Sequence, residues 1–106
     1  MQTIQEIFNI LKERLKEYDC DYSLNYSTLG VVSGKVNWYY YVSLNRYDFD
    51  IIINPKYDRK ISTLCHEFAH IIAILHRNDF GHSWYMARQY AKLCREFNIE
   101  RHYGWL

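Results

Sequence analysis

The segment His66-Glu67-Phe68-Ala69-His70 constrains this chain most, because it lies in a run with helical character from Ile61 to Leu75. Residues four apart share one face of a helix, so His66 and His70 can offer two imidazole nitrogens to one metal ion. Glu67 is rotated by about a quarter turn, within reach of a water held by that ion. This H-E-x-x-H pattern is typical of zinc hydrolases, which place two ligands and a general base on one turn. The alternative is two histidines that cap, pack or face solvent.

The surroundings of the motif favour the metal interpretation. The helix around it is apolar on nearly all sides, through Phe68, Ala69, Ile71, Ile72, Ala73, Ile74 and Leu75. A helix of this kind is buried on most of its surface. Two imidazoles and a carboxylate buried there without a ligand would leave polar groups that are costly to satisfy.

Composition sets the broad class. With 106 residues, 49% hydrophobic, the chain is expected to form a single domain over 1–106. The net charge of +1 shows no basic excess for nucleic acid. The three cysteines form no C-x-x-C pair, which argues against a zinc ribbon or a disulfide framework. We read Cys65 and Cys94 as small buried apolar residues. We find no signal peptide and no apolar run of about 20 residues, so a cytoplasmic protein without a membrane partner is expected.

The first half of the chain predicts one helix and a sheet. Thr3 and Glu6 match a capping box, and apolar residues at steps of three and four predict a helix from Ile4 to Tyr18. A short strand is expected around Leu29–Ser33. Aromatic and β-branched residues predict strands over Val36–Leu44 and Tyr47–Ile53, joined as an antiparallel hairpin.

The second half predicts two helices. The motif helix is expected to begin near Asp58 or at Ser62 and to end near His76. Gly81 interrupts the helical pattern, and Ser83 is a suitable N-cap for the last helix. The expected fold class is therefore α+β: a small zincin-like domain with an N-terminal helix, a short antiparallel sheet of two or three strands, an active-site helix and a C-terminal helix.

Three residues are candidates for the third metal ligand that a catalytic zinc site needs. His82 follows the break at Gly81, where a chain reversal would bring it back over His66 and His70. His76 has the spacing of H-E-x-x-H-x-x-G-x-x-H, but Ala73 stands in place of the glycine that turns the chain in that motif. Glu96, on the following helix, would give a gluzincin-like site. His82 is the favoured candidate.

The segment from Tyr47 to Phe97 resembles the SprT-like zinc metallopeptidase domain, the group that includes Spartan. The resemblance rests on a strand ending at Asn54-Pro55, the H-E-F-A-H helix, and Gly81-His82-Ser83-Trp84-Tyr85. It implies zinc bound by His66, His70 and His82, Glu67 as catalytic base, and an intracellular role. Ser83 stands where the family often has glycine, and the family's C-terminal zinc ribbon has no counterpart here. A nucleic-acid partner follows from the resemblance only.

The function predicted is metal-assisted peptide hydrolysis on a protein or peptide substrate. Zinc lowers the pKa of its water, and Glu67 takes the proton during attack on the carbonyl. Tyr85, Tyr90 or Tyr103 are candidates to stabilise the oxyanion, although packing is the more common role of a tyrosine. By analogy with other zincins, Tyr47–Ile53 or its neighbour is a candidate strand for pairing with substrate. The competing hypotheses are a zinc-stabilised binding or regulatory domain with little turnover, and a metal-free interaction domain.

Overall fold

A computed structural model describes residues 2–101, which form three α-helices and a three-stranded sheet. Helix α1 spans Ile4–Arg14 and is followed by a 3-10 turn, Lys16–Tyr18. The strands are β1, Asp21–Tyr26; β2, Gly34–Tyr41; and β3, Arg46–Ile53. Helices α2, Lys60–Arg77, and α3, Trp84–Glu96, complete the chain. The predicted α+β class is confirmed.

The sheet has the order β1-β3-β2, with β3 in the centre. Strands β2 and β3 form the predicted antiparallel hairpin, with Trp38 opposite Phe49. Strand β1 instead runs parallel to β3, with Leu24 opposite Ile51, so the expectation of a purely antiparallel sheet is wrong for this pair. Among residues 2–101 the outer edge of β2 carries no further strand.

Strand β1 lies earlier in the chain than expected. The segment around Leu29–Ser33 is irregular, and Gly30 has a φ of 67°. Strand β1 alternates apolar residues with polar ones that face the open side of the sheet, where Asp50 accepts hydrogen bonds from Ser23 Oγ at 2.7 Å and Asn25 Nδ2 at 2.6 Å. Because one face of β1 is exposed, the strand contains few apolar residues. The apolar pattern of the sequence therefore did not predict it.

The helices follow the predicted boundaries closely. Thr3 and Glu6 form the capping box at the start of α1. This helix ends at Arg14 rather than at Tyr18, because Leu15 leaves helical geometry and Asp19 takes a left-handed conformation. Helix α2 begins between the two predicted starts, and Ser83 caps α3 by accepting from Met86 N at 3.1 Å.

The core lies between the helices and one face of the sheet. Strand β3 contributes Phe49, Ile51 and Ile53, each at most 2% exposed. Helix α2 packs on them through fully buried Leu64, Phe68 and Ile71, and α1 and α3 cover the other sides of α2. Burial of Cys65 and Cys94 agrees with their predicted packing role. Within the described residues, none of the helices combines the length and the apolar character that a membrane crossing needs.

Candidate metal centre

Helix α2 places the first two histidines side by side, and His66 lines a cleft. His66 and His70 lie one turn apart, and their ring centroids are 4.9 Å from each other with the planes nearly perpendicular. His70 is only 8% exposed. The helix can bury both because the rest of its surface is already held in the core.

The connection between α2 and α3 brings back the third histidine. Asn78 ends α2 in a left-handed conformation, which reverses the chain. The Asp79 carboxylate then accepts hydrogen bonds from the Ser83 hydroxyl and from Gly81 N. This short loop holds His82 over α2, with its Nε2 atom 3.2 Å from His70 Nε2.

The three imidazoles fit the requirements of one metal ion. One ligand atom from each of His66, His70 and His82 lies within 4.8 Å of the others. Nitrogens bound to a tetrahedral zinc at about 2.0–2.1 Å lie roughly 3.3 Å apart, close to the His70–His82 separation. A three-nitrogen donor set suits zinc and leaves a fourth position for water.

Burial favours the neutral, metal-binding form of His70 and of His82. Burial, helped by the charges of His66 and His82, lowers the pKa of His70 from 6.5 to about 3. Burial also lowers the pKa of His82, and the nearby His66 acts in the same direction. A neutral imidazole is the metal ligand, so no proton has to leave His70 when an ion binds at neutral pH.

Glu67 lies in the same cleft. Its carboxylate is 4% exposed, and Oε2 lies 2.9 Å from Nδ1 of His66. A carboxylate in this position can orient a ligating imidazole, and a cleft-lining carboxylate can also accept a proton from water. The structure thus places Glu67 where either role is open to it.

The cleft has a volume of about 310 Å³ and extends well beyond the histidines. Its walls come from α2 and the residue before it, from His82 in the α2–α3 loop, from Tyr90 in the middle of α3, and from the segment that leads into β2. The residues that sequence reasoning missed are Val31, Val32, Gly34 and Arg59. Only Arg59, a cation directly before the helix, carried a local signal, because the other three reach the cleft through tertiary structure.

Asn54 fixes the β1–β2 segment at the rim of the cleft. This side chain is fully buried, and its Nδ2 donates to Val32 O at 2.9 Å. Its Oδ1 accepts from Lys56 N at 3.1 Å, and the Tyr57 hydroxyl donates to Val31 O at 2.8 Å. From the sequence, Asn54 was predicted only to end a strand.

The other two candidate third ligands lie away from the histidine cluster. His76 Nδ1 is 2.7 Å from the Tyr85 hydroxyl, and Glu96 forms an ion pair with Arg14. Helix α2 continues without a break past Ala73, so His76 stays rotated off the face of His66 and His70.

Of the three tyrosines considered for the oxyanion, Tyr90 lines the cleft. Its ring centroid lies 5.3 Å from that of His66, and its hydroxyl is 2.6 Å from Ser62 Oγ. The Tyr85 hydroxyl is at His76 instead. Tyr103 lies outside the described residues, as does His102.

Comparison with known proteins adds no assignment. No protein-family model matches the chain, and no match was found among curated proteins or solved structures. The geometry of the site is therefore the main guide to the function of this chain.

Proposed function

We propose that this protein is a zinc-dependent metallopeptidase, with His66, His70 and His82 as ligands and Glu67 as general base. The observation that carries the proposal is the approach of His82 to His70, with Nε2 atoms 3.2 Å apart, beside a cleft that His66, Glu67 and His82 line. A purely packed pair of imidazoles has no need of a third from a separate segment. A carboxylate beside them supplies the base that hydrolysis needs.

The chemistry divides between the ion and the chain. When bound, zinc supplies Lewis acidity that lowers the pKa of water towards about 7 and polarises the substrate carbonyl. Glu67 accepts a proton from the attacking water and returns it to the amide nitrogen as the C–N bond breaks. The burial of Glu67 strengthens its electrostatic contribution, because bulk water screens it less.

Strand β2 is the element best placed to bind an extended substrate. The predicted alternative, Tyr47–Ile53, is the central strand β3 and has β1 and β2 on its two sides. Strand β2 is an edge strand, and its Gly34 end lines the cleft beside Glu67. Pairing with a free strand edge is a general mode of peptide binding.

The resemblance to SprT-like metallopeptidases over Tyr47–Phe97 agrees with this ligand set, and we include the family in the proposal. An intracellular, cytoplasmic location is part of it too, supported by three free cysteines that form no disulfide. A protein or peptide is the proposed substrate. A nucleic-acid partner has no support beyond the resemblance.

The decisive test uses protein purified without a His-tag. We expect about one zinc per chain by mass spectrometry of the metal. Glu67→Gln should retain that zinc and lose peptide hydrolysis by about 10²- to 10⁴-fold, because the general base is gone. Glu17→Gln, which changes an exposed carboxylate after α1, is the matched control and should cleave like wild type. Equal hydrolysis by Glu67→Gln and wild type would falsify the mechanism.

A second function is favoured by the contact between Glu67 and His66. A carboxylate 2.9 Å from Nδ1 of His66 is the arrangement that fixes a ligand in a metal-stabilised binding domain. In that case Glu67→Gln lowers zinc affinity, and no peptide is cut by wild type. Zinc affinity and hydrolysis measured on the same two proteins therefore separate the two functions.

A further inference from the structure

A group of aromatic side chains, here called the aromatic cluster, lies exposed beside the candidate metal centre. It consists of Trp38 and Tyr40 on β2, Tyr47 on β3 and Phe80 in the α2–α3 loop. Ring centroids are 4.8 Å apart for Trp38–Phe80 and 4.8 Å for Tyr40–Tyr47. Trp38, Tyr40 and Phe80 remain 47%, 41% and 41% exposed despite these contacts. Contiguous exposed apolar surface of this kind marks a binding site more often than scattered side chains do.

Two segments that form the metal centre also carry residues of the aromatic cluster. Phe80 precedes the ligand His82 by two residues in the same short loop. Trp38 is on the strand whose Gly34 end touches the site, since a Cβ placed on Gly34 would lie 3.8 Å from Glu67 Cγ. Four residues of strand cover about 13 Å, so the cluster lies about four extended residues from Glu67.

The edge of β2 specifies an extended polypeptide as the occupant. Asn54 N donates to Ser33 O at 2.9 Å, which sets the alternation of the β2–β3 ladder. In that alternation Gly34, Val36 and Trp38 direct their backbone N–H and C=O groups to the outer edge. A second strand matches such a row of donors and acceptors, and every other side chain of that strand then faces the side of the cluster.

The register of β2 with β3 shows which face of the sheet carries the cluster. Trp38 lies opposite Phe49, which is in the core, so the cluster is on the helix side of the sheet. Tyr39 lies opposite Asp48, on the other face, where the sheet is polar. The opposite face carries the exposed rings of Tyr39 and Tyr41, but the aromatic cluster lies on the face against which the histidine-bearing helix packs.

We propose that the aromatic cluster is a specificity subsite, which selects polypeptides carrying a large apolar side chain about four residues from the bond to be cut. The inference rests on the proposed peptidase function and adds a substrate class to it. An aromatic or branched aliphatic side chain packs against Trp38 and Phe80, while the backbone pairs with β2. The loop that carries Phe80 also carries His82. A side chain bound in the subsite therefore contacts the same short loop that holds the third proposed metal ligand.

The test compares two unstructured 12-residue peptides of Ala, Ser, Gly and Lys. One carries a single central Phe, and the other has Ala in its place. Mass spectrometry maps the cut bonds, and kcat/KM is measured for both. We expect cleavage about four residues from Phe on one side, and about tenfold lower kcat/KM for the Ala peptide, the discrimination that one packed apolar side chain gives. Equal kcat/KM for the two peptides would overturn the subsite.

Variants locate the selection in the cluster. Trp38→Ala and Phe80→Ala should each remove most of the preference for the Phe peptide while retaining slow cleavage of the Ala peptide. Tyr39→Ala is the matched control, because it removes an exposed aromatic ring from the same strand on the opposite face. Circular dichroism and thermal melting verify folding, and Phe80→Ala tests the subsite if Trp38→Ala unfolds. A preference unchanged in Phe80→Ala, or lost equally in Tyr39→Ala, contradicts the proposal.

A binding measurement separates this inference from the peptidase proposal. If wild type cuts neither peptide, the peptidase proposal fails, and zinc-loaded Glu67→Gln still reports binding through tryptophan fluorescence. Tighter binding of the Phe peptide than of the Ala peptide supports the subsite, and equal binding overturns it. A second copy of the chain is the competing occupant. A dimer in light scattering that Trp38→Ala converts to monomer would assign the surface to self-association instead.

Discussion

His70 is the candidate ligand that the fold isolates most from water. It lies on α2 beside His82 of the α2–α3 loop and is 8% exposed. Its pKa is lowered to about 3. A protonated His70 would place a buried charge next to two other imidazoles. The site therefore favours a neutral imidazole. In the metal-free protein, this preference makes the free energy of unfolding depend on pH.

This isolation predicts a specific pH dependence for the metal-free protein. The folded-state pKa of His70 lies below its ordinary value of 6.5, so the unfolded chain takes up a proton that the folded chain excludes. The contribution of His70 to the free energy of unfolding is therefore complete above about pH 6.5. It falls as the pH drops, by up to about 1.4 kcal/mol per pH unit. His70→Gln removes this contribution. Urea unfolding in chelator should show wild type losing more stability than the variant between about pH 5.5 and pH 4.5; parallel losses would contradict the assignment.

Strand β2 approaches α2 more closely than a side chain at Gly34 allows. A Cβ at this position would lie 2.4 Å from Thr63 Cγ2 and 3.1 Å from Ile52 O. Glycine therefore sets the distance between the edge strand and the helix that carries the histidines. Gly34 and Thr63 both line the cleft, so this contact limits the spacing of its walls at that point.

Gly34→Ala should push β2 away from α2 and destabilise the protein by about 1–3 kcal/mol, the usual cost of overpacking. Thr63→Ser removes the methyl group that the new Cβ meets and keeps the hydroxyl, which donates to Arg59 O at 3.0 Å. The double variant should recover part of the loss, as measured by urea unfolding in a double-mutant cycle. Additive effects of the two changes would show that the contact with Thr63 is not the cause.

The sequence predicted the elements with strong periodicity and missed those defined by their partners. Helices α1, α2 and α3 and the β2–β3 hairpin follow from apolar spacing and caps that act within one element. Strand β1 did not, because its polar residues pair with Asp48 and Asp50 across the sheet. Its parallel direction depends on contacts between segments that are distant in the chain.

The candidate site shows the same division. His66, Glu67 and His70 were readable because helical geometry alone relates them. The choice of His82 over His76 was inferred from the break at Gly81, and the structure brings His82 to the cluster. The walls of the cleft, including Val32 and Arg59, depend on loop positions that no local pattern encodes.

At the scale of the molecule, the candidate metal centre joins α2 to the start of α3. Two ligands come from one helix and the third from the loop that leads to the next. A metal bound there would add a contact between two elements that already meet through apolar packing and the Ser62–Tyr90 and His76–Tyr85 hydrogen bonds. A metal that binds only the folded state adds stability that grows with the logarithm of one plus the ratio of free metal concentration to dissociation constant.

Removal of the metal should therefore lower the melting temperature. Free metal at 100 times its dissociation constant adds about 2.7 kcal/mol, which corresponds to about 10 °C or more for a domain of this size. His82→Gln should largely abolish the shift caused by a chelator. His76→Gln is the matched control, because His76 lies at Tyr85 and outside the cluster, and it should retain the full shift. Calorimetry with and without chelator measures both, and equal shifts in the two variants would rule out His82 as a ligand.

The parallel pairing of β1 with β3 also sets an order of assembly. Strands β2 and β3 are joined by one short turn, Val42–Leu44, whereas Asp21 meets Asp48 across 27 positions of the chain. Closing the longer loop costs more entropy, so we expect the hairpin to form first and β1 to dock afterwards. Until β1 docks, the hairpin exposes both edges of an aromatic-rich ribbon. Refolding yield should accordingly fall with protein concentration, and a chaperone that shields strand edges would act on this chain during the interval before β1 arrives.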